Sequence, residues 1–339
     1  EGTEAAYCTA SGMSAIAAVV MQLCDSGDHI VAANAIYGGT YALLKEFLPV
    51  KAGIETTLVD ATDPAHVARA ITPRTRMIYV ESLSNPTLRV ADIPALARLA
   101  HHHGIALVVD NTFSPLVLSP HRLGADVVVH SMTKFISGAS DVIAGAVCGS
   151  RDFIAGLMDL HTGPLMRLGP TMDPSVAFQL SLRLPGLPLR MREHGRRAQA
   201  YAECLTGHGL AVGYPGLPEH PDHGLMQTLR SPDYGCGGVL TVDLGSADQA
   251  NALMGLLQNR YGFGYMAVSL GYFDTLMSCS GSSTSSELAE DDKAEAGISP
   301  GLLRISAGIS GTLGQRLEQL EGALKALGIL GSGEVSVCA

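Results

Sequence analysis

The sequence has 339 residues, of which 47% are hydrophobic, and this length allows two domains or one large domain with an appendage. Its net charge of -10, without any lysine- and arginine-rich run, argues against nucleic acid or an anionic membrane surface as the main partner. No apolar run approaches the roughly 20 residues that a membrane-spanning helix needs. A small-molecule partner is therefore favoured.

Short apolar runs alternate with helical patterns through the first half of the chain. The predicted strands are residues 29–33, 55–59, 77–80, 106–109, 126–129 and 143–148, and the predicted helices are residues 12–22, 40–48, 64–70 and 93–103. Strands that are apolar on both faces and separated by helices indicate an α/β domain with a mostly parallel sheet, covered on both sides.

The pattern changes after about residue 187. A long polar helix over residues 189–205 is followed by a strand at 238–244 and by helices at 247–257 and 313–327. We therefore expect a large α/β domain over residues 1–187 and a smaller α+β domain over residues 188–339. The acidic, serine-rich stretch 278–297 is predicted to be irregular, either as a loop near the active site or as an exposed excursion.

Cysteines and histidines give no sign of a metal site. The seven cysteines are scattered and form no CxxC pair, which favours reduced thiols in a cytoplasmic compartment over a disulfide framework. His101, His102 and His103 are consecutive, and consecutive residues of a helix point in different directions. The sequence therefore predicts no bound metal.

Polar side chains follow four of the predicted strands. Tyr37 follows the first strand, Asn85 the third, Asp110 the fourth and Lys134 the fifth. Because ligands of open parallel sheets bind outside the carboxyl ends of the strands, these side chains are expected at one rim of the sheet.

Lys134 is the most informative of these residues. It is one of only five lysines, it alone follows an apolar β-branched run, and Ser131 and Thr133 bracket it. A partly desolvated lysine is a nucleophile that can bind a carbonyl cofactor covalently, and neighbouring hydroxyls can serve a phosphate. This combination indicates pyridoxal 5'-phosphate (PLP), although a surface lysine at the mouth of a strand is the alternative on this motif alone.

The other strand-end residues suit the same cofactor. The Asp110 carboxylate would keep a pyridine nitrogen protonated, and the Tyr37 ring could stack on the pyridine and present its hydroxyl to the substrate. Asn85 could donate to the phenolic oxygen of the cofactor, or Asn85 and Pro86 could be ordinary turn residues.

A possible phosphate site opens the first helix. The segment Ser11-Gly12-Met13-Ser14 offers free backbone N–H groups at a helix N-terminus, and Gly12 permits close approach. Alone, this segment is usually only an N-cap, but with Ser131 and Thr133 it becomes a candidate phosphate cup.

Seven segments together resemble a known family. They are, in order, TASGM (9–13), YGGT (37–40), ESLSNPT (81–87), VDNT (109–112), HSMTKF (130–135), AVSLG (267–271) and LRISAG (303–308). The chain resembles the cysteine/methionine-metabolism PLP enzymes, which include cystathionine γ-synthase, cystathionine lyases, O-acetylhomoserine sulfhydrylase and methionine γ-lyase. The resemblance covers nearly the full chain and implies the aspartate-aminotransferase-like fold, known as fold type I.

The resemblance also implies residue roles. PLP would be bound to Lys134, with Asp110 as the pyridinium partner and Tyr37 as the stacking ring. Arg304 would hold the substrate α-carboxylate, a task for which the guanidinium fork is suited. The implied phosphate contacts come from Gly12, Met13, Ser131 and Thr133, and the implied aids to Arg304 are Ser269 and the backbone near Leu270.

Within the family, residues 168–174, 189–194 and 263–286 look most like plant-type methionine γ-lyases. This implies α,γ-elimination of L-methionine, or a close sulfur amino acid, to 2-oxobutanoate, ammonia and a thiol. Three departures bear on substrate choice: Gly39 stands where bacterial methionine γ-lyases carry cysteine, Leu165 and Met166 replace a lysine-aspartate pair, and residues 137–141 lack the frequent histidine. The alternatives are cystathionine γ-synthase, cystathionine γ-lyase or O-acetylhomoserine sulfhydrylase activity.

Assembly is expected to involve shared active sites. The resemblance implies dimers that build a homotetramer, in which a segment ahead of the equivalent of Glu1 supplies a tyrosine and an arginine to the neighbouring cofactor phosphate. The sequence starts after that point, so we expect either a fragment or a chain without that contribution. A cofactor-poor, truncated and non-catalytic form is the alternative from a different functional class.

Overall fold

The computed structural model describes residues 1–280 and 290–329 of the chain. Within them, twelve strands form two sheets. The strands are β1 (Ala5–Thr9), β2 (His29–Ala33), β3 (Glu55–Val59), β4 (Thr75–Glu81), β5 (Ala106–Asp110), β6 (Val127–Ser131), β7 (Gly145–Gly149), β8 (Ala211–Gly213), β9 (Val239–Asp243), β10 (Gly264–Met266), β11 (Thr275–Cys279) and β12 (Leu302–Ser306).

The α-helices cover both halves of the chain. They are α1 (Gly12–Leu23), α2 (Gly38–Tyr41), α3 (Leu48–Ala52), α4 (Pro64–Ala70), α5 (Ile93–His102), α6 (Arg151–Leu157), α7 (Pro164–Leu168), α8 (Pro174–Arg183), α9 (Leu187–Gly207), α10 (His223–Leu229), α11 (Ala247–Asn259), α12 (Glu290–Glu295) and α13 (Leu313–Ala326). A π-helical turn, Ala42–Phe47, joins α2 to α3.

The larger sheet positions the candidate site. Its order is β1-β7-β6-β5-β4-β2-β3, and all strands except β7 run in the same direction. Every residue of β2 is buried, as expected for a strand covered on both faces. The predicted mostly parallel sheet is therefore present, and the carboxyl ends of β4, β5 and β6 lie side by side.

Most predicted elements of the first half occur close to their predicted positions. β2, β3 and α4 begin and end at the predicted residues. The helix predicted over residues 40–48 is instead α2, the π-helical turn and α3 in succession. The edge strand β1 was not predicted: it contains no valine or isoleucine, and alanine, which fills two of its five positions, has a low β propensity.

The second sheet has five strands in the order β10-β11-β12-β9-β8. The long helix α9 and the strand β9 lie where the sequence predicted them, whereas β8, β10, β11 and β12 were not predicted. The stretch 278–297 is not irregular throughout, because β11 ends at Cys279 and α12 occupies Glu290–Glu295. Residues 281–289 lie outside the described residues. The boundary between residues 187 and 188 stays a prediction; it falls at the start of α9.

Membrane and cysteine features can be described over the same residues. None of the described helices combines the length and the apolar character needed to cross a membrane. The free cysteines are Cys8, Cys24, Cys148, Cys236 and Cys279. Cys204 is disulfide-bonded, so the expectation of reduced thiols is wrong at this position. No spacing signature in the sequence marks such a bond.

Candidate active site

A cavity of about 240 Å³ opens at the carboxyl ends of β4, β5 and β6, against the N-terminus of α1. Its lining includes Ser11, Gly12, Met13, Tyr37, Asn85, Asp110, Ser131, Thr133, Lys134, Leu270 and Arg304. Ser269 is outside the lining but contacts Lys134. The fold thus brings together all the predicted site residues. A neighbouring cavity of about 330 Å³ shares Glu81 but contains no lysine.

Lys134 lies in the turn after β6. Its backbone N–H donates to the Ser131 carbonyl at 3.2 Å, and its Nζ donates to Ser269 Oγ at 3.2 Å. Burial, with a smaller contribution from the positive charge of Arg304, lowers the Lys134 pKa from 10.5 to about 8. A fraction of the amine is therefore neutral near neutral pH, which is the form that attacks a carbonyl carbon.

Asp110 ends β5 and is buried. Its Oδ1 accepts from the Thr112 backbone N–H at 2.9 Å, and its Oδ2 accepts from the Tyr79 hydroxyl at 3.3 Å. Burial raises the Asp110 pKa despite these donors. A cationic ring nitrogen placed beside this carboxylate would favour its ionised form, which is the requirement for a pyridinium partner.

The N-terminus of α1 approaches β6 very closely. A Cβ added to Gly12 would lie 2.8 Å from Ser131 Cβ, so glycine is needed for this approach. Ser11 caps the helix: its Oγ accepts from the Ser14 N–H at 3.0 Å, and Ser14 Oγ accepts from the Ser11 N–H at 3.0 Å. The first-turn N–H groups of a helix lack intrahelical acceptors and suit an anion such as phosphate.

The hydroxyl of Thr133 is engaged elsewhere. Its Oγ1 donates to the Ala144 carbonyl at 3.3 Å and accepts from the Ala144 N–H at 3.0 Å. Ser131 donates its backbone N–H to Thr112 Oγ1 at 2.8 Å. The phosphate roles of Ser131 and Thr133 stay predictions. The suitability of the N-terminus of α1 for a phosphate depends on Gly12.

Tyr37 stands at the rim, with 46% of its side chain exposed. A Cβ at Gly39 would lie 2.6 Å from the Tyr37 ring, so the ring packs directly over that glycine. The Tyr37 backbone N–H donates to Glu81 Oε1 at 2.8 Å. Tyr37 therefore lines the cavity on a turn whose backbone is held by Glu81.

Arg304 is buried in the wall of the cavity, with 2% of its surface exposed. Its Nη1 donates to Asn85 Oδ1 at 3.0 Å, and its Nη2 donates to the carbonyls of Val268 and Ser269 at 3.1 Å each. Burial lowers the Arg304 pKa to about 10, which leaves it a cation at neutral pH. An oriented, buried cation is suited to bind a carboxylate.

Glu81 was not predicted to take part, although it ends β4 as Asp110 ends β5. Glu81 and Asp110 are paired in the parallel register of β4 and β5. Burial, followed by repulsion from Asp110, raises the Glu81 pKa to about 8. The strand-end argument that selected Asp110 would also have selected Glu81. Tyr79 and Thr112, which bind Asp110, carry no comparable sequence signal.

No histidine in the described part of the chain lines this cavity. His101 Nε2 contacts Asp126 Oδ1 at 3.1 Å on the surface. Ligand atoms of Cys204, His208 and Glu321 lie within 4.8 Å of one another. Because Cys204 is disulfide-bonded, its sulfur is not available as a thiolate ligand, and His208 Nε2 contacts Glu321 Oε1 at 3.2 Å. This group therefore gives no reason to assign a metal.

Comparison with known proteins identifies the class. Residues 1–325 match the family described as Cys/Met metabolism PLP-dependent enzyme. A cystathionine γ-synthase structure from Xanthomonas oryzae pv. oryzae, in complex with aminoacrylate and cysteine, is 32% identical with a TM-score of 0.89, covering 96% of this chain and 82% of that chain. The fold and the cavity thus define a PLP-dependent enzyme of fold type I, which confirms the predicted fold class and cofactor.

Two relatives of known activity are similar to this chain over most of its length. A methionine γ-lyase of Arabidopsis thaliana is 60% identical over 324 residues, covering 95% of this chain and 74% of that protein. A cystathionine γ-lyase of Bacillus subtilis is 36% identical over 330 residues, covering 94% of this chain and 84% of that protein. The chain belongs to the cysteine/methionine-metabolism family of PLP-dependent enzymes, as the seven motifs predicted.

Proposed function

We propose that this chain is a carbon-sulfur lyase that converts L-methionine, or a close sulfur amino acid, and water to 2-oxobutanoate, ammonia and a thiol. The observation that carries the proposal is the 60% identity to a methionine γ-lyase over 95% of the chain. The cavity supports it, since a half-buried lysine, a buried carboxylate and a buried arginine converge there. PLP, when bound, supplies the electron sink that stabilises negative charge on the substrate carbons.

The residues of the cavity have separate proposed roles in the reaction. Arg304 binds the substrate α-carboxylate, and Asp110 keeps the ring nitrogen of the cofactor protonated. The Nζ of Lys134 would hold the cofactor covalently, and the same amine would carry protons between Cα and Cβ of the substrate. The Tyr37 hydroxyl lies at the rim, where it assists departure of the γ-thiol. The first turn of α1, at Gly12 and Met13, binds the phosphate.

A γ-replacement or a cystathionine-cleaving activity is the second candidate. The observation that favours it is the high structural similarity, with a TM-score of 0.89, to cystathionine γ-synthases solved with aminoacrylate and cysteine or with cystathionine. These reactions use the same carboxylate-binding and proton-transferring residues. They differ in the group that leaves the γ-carbon and in the nucleophile that replaces it.

The deciding experiment measures 2-oxobutanoate release from methionine, cystathionine, homocysteine and O-acetylhomoserine by the PLP-loaded protein. We expect methionine or homocysteine to give the highest kcat/KM. Release only from cystathionine, or only replacement on O-acetylhomoserine, would support the second candidate instead. Borohydride reduction followed by peptide mapping should locate the cofactor on Lys134. A protein that holds no cofactor on Lys134 would favour the non-catalytic alternative.

We propose in addition that the protein is a homotetramer built from dimers with shared active sites. Seven large apolar side chains between residues 160 and 189 are exposed, and exposed apolar surface is typical of subunit contacts. They are Leu160, Met166, Leu168, Phe178, Leu182, Leu184 and Leu189. Sedimentation of a fully active monomer would contradict it.

The predicted domain ranges and the cytoplasmic location are part of the same proposal. The five free thiols support a reducing compartment, and the disulfide at Cys204 is the observation against it. Cell fractionation followed by immunoblotting tests the location. Limited proteolysis near residue 187 tests the boundary.

A further inference from the structure

Glu81 joins two loops that come from distant parts of the chain. Its side chain is buried, and each of its two oxygens accepts a different backbone N–H. Oε1 accepts from Tyr37 at 2.8 Å, and Oε2 accepts from Asn85 at 2.8 Å. Glu81 itself lines the cavity. One carboxylate therefore fixes both the turn that carries the aromatic ring and the loop that carries Asn85.

The contacts continue from Asn85 to the arginine. Asn85 Oδ1 accepts from Arg304 Nη1 at 3.0 Å, while Arg304 Nη2 donates to the carbonyl of Ser269 at 3.1 Å. Ser269 Oγ in turn accepts from Lys134 Nζ. All the links are direct hydrogen bonds. The backbone amide that Glu81 holds thus belongs to the residue that orients the guanidinium.

We propose that Glu81 is a positioning residue for Arg304. By holding the Asn85 loop in place against the Tyr37 turn, Glu81 orients Arg304 to bind the substrate carboxylate. This inference rests on the proposed function, in which Arg304 binds the α-carboxylate. Glu81 itself touches neither the carboxylate nor the reacting carbons in this role. Its contribution is the orientation of a neighbour's amide.

The role requires a carboxylate rather than an amide. A glutamine has one acceptor oxygen, so one of the two backbone N–H groups would face the NH₂ group of the side chain instead. Burial and Asp110 raise the Glu81 pKa, whereas the two N–H donors and the charge of Arg304 lower it. Each of the two Glu81 oxygens accepts one backbone N–H, and this pair of contacts defines the role. Glu81→Gln therefore removes one anchor at nearly constant volume.

The test compares two small probes with the PLP-loaded protein. Glycine carries an amine and a carboxylate, methylamine carries only the amine, and neither has a γ-substituent. Binding of each is followed by the change in visible absorbance of the cofactor. In Glu81→Gln we expect the glycine Kd to rise roughly 10- to 100-fold, the scale of one lost hydrogen bond to a charged group. The methylamine Kd should change by less than about twofold, since it does not use Arg304.

Two further variants calibrate the result. Arg304→Lys shows how much the glycine Kd rises when the carboxylate-binding group itself is changed. It should leave the methylamine Kd unchanged. Glu321→Gln is the matched control, because Glu321 is a buried glutamate that contacts His208 and does not line the cavity. It should leave both dissociation constants unchanged.

The proposal would be overturned if Glu81→Gln left the glycine Kd unchanged, or if it weakened the binding of glycine and methylamine equally. If Glu81→Gln does not fold with PLP, Glu81→Asp decides, because its shorter carboxylate keeps the charge but cannot reach both N–H groups. In Glu81→Asp we expect weaker binding of glycine and unchanged binding of methylamine. If neither variant folds, Glu81 is needed only for folding and the proposal is wrong. Different results would contradict the proposed function itself. These are a parent protein that binds glycine but eliminates no substrate, or an Arg304→Lys variant whose glycine Kd is unchanged.

Discussion

Replacing Lys134 by methionine should make the cofactor-free protein more stable at neutral pH while abolishing turnover. The lysine amine lies in a partly buried position near the cation of Arg304, and this lowers its pKa from 10.5 to about 8. Methionine has a similar length and no charge, so it removes the unfavourable burial of an ammonium group. Turnover is lost because the covalent anchor and the proton carrier are one amine.

The size and the sign of the effect follow from proton linkage. Between pH 8 and pH 10.5 the unfolded chain binds more protons at Lys134 than the folded chain does, so the parent protein gains stability as the pH rises through this window. Below the window, the full penalty of about 3 kcal/mol applies. The stability advantage of Lys134→Met should therefore be largest at pH 7 and should fall by about 3 kcal/mol toward pH 10.5.

Urea unfolding of both cofactor-free proteins at several pH values measures this difference. Comparing the two proteins at each pH cancels the titration of other groups. Lys51→Met is the control for a lysine-to-methionine change, because Lys51 is exposed at the surface. A constant difference between parent and Lys134→Met over pH 7 to 10.5 would refute the assignment of a depressed pKa, and steady-state elimination near the parent level would refute the catalytic role.

Three other substitutions test the cofactor contacts. Asp110→Asn should lower kcat by roughly 10²-fold or more at saturating PLP, the scale for losing a positioned electrostatic partner; near-normal rates would remove Asp110 from this role. Tyr37→Phe should keep PLP binding but slow γ-elimination by roughly 10²-fold, and an unchanged rate would leave Tyr37 as a stacking platform only. Gly12→Ala should weaken PLP binding in equilibrium dialysis by roughly 10-fold, about the effect of one misplaced hydrogen bond, because the new Cβ would lie 2.8 Å from Ser131 Cβ. The control Gly255→Ala, in α11 with no atom within 4 Å of its added Cβ, should leave PLP binding unchanged.

Local sequence determined much of the larger sheet. A buried parallel strand must be apolar on both faces, so β2 is a short apolar run with recognisable ends. α4 begins at Pro64, with Asp63 capping it by accepting from the Ala65 N–H, and both residue types are typical of helix starts. β1 lies at the edge of the sheet and lacks the β-branched apolar residues on which the strand predictions relied.

The strand-end residues of the site were also predictable. Asp110 and Lys134 follow buried strands, and the topology of parallel sheets requires the ends of those strands to meet. Gly12 was selected for close approach to a phosphate, and its nearest neighbour proved to be Ser131. These inferences need only the order of the elements along the chain.

The contacts between distant segments were decided by the tertiary structure alone. Arg304 meets Asn85 across 219 residues of sequence, and the Glu81 carboxylate meets the Tyr37 N–H across 44. No spacing or periodicity encodes such pairs, because they depend on how the second sheet packs against the strand ends of the first. The same packing sets the burial that lowers the Lys134 pKa. The chemical groups of the site could thus be predicted from the sequence. Their distances and their burial could not, because these depend on the tertiary structure.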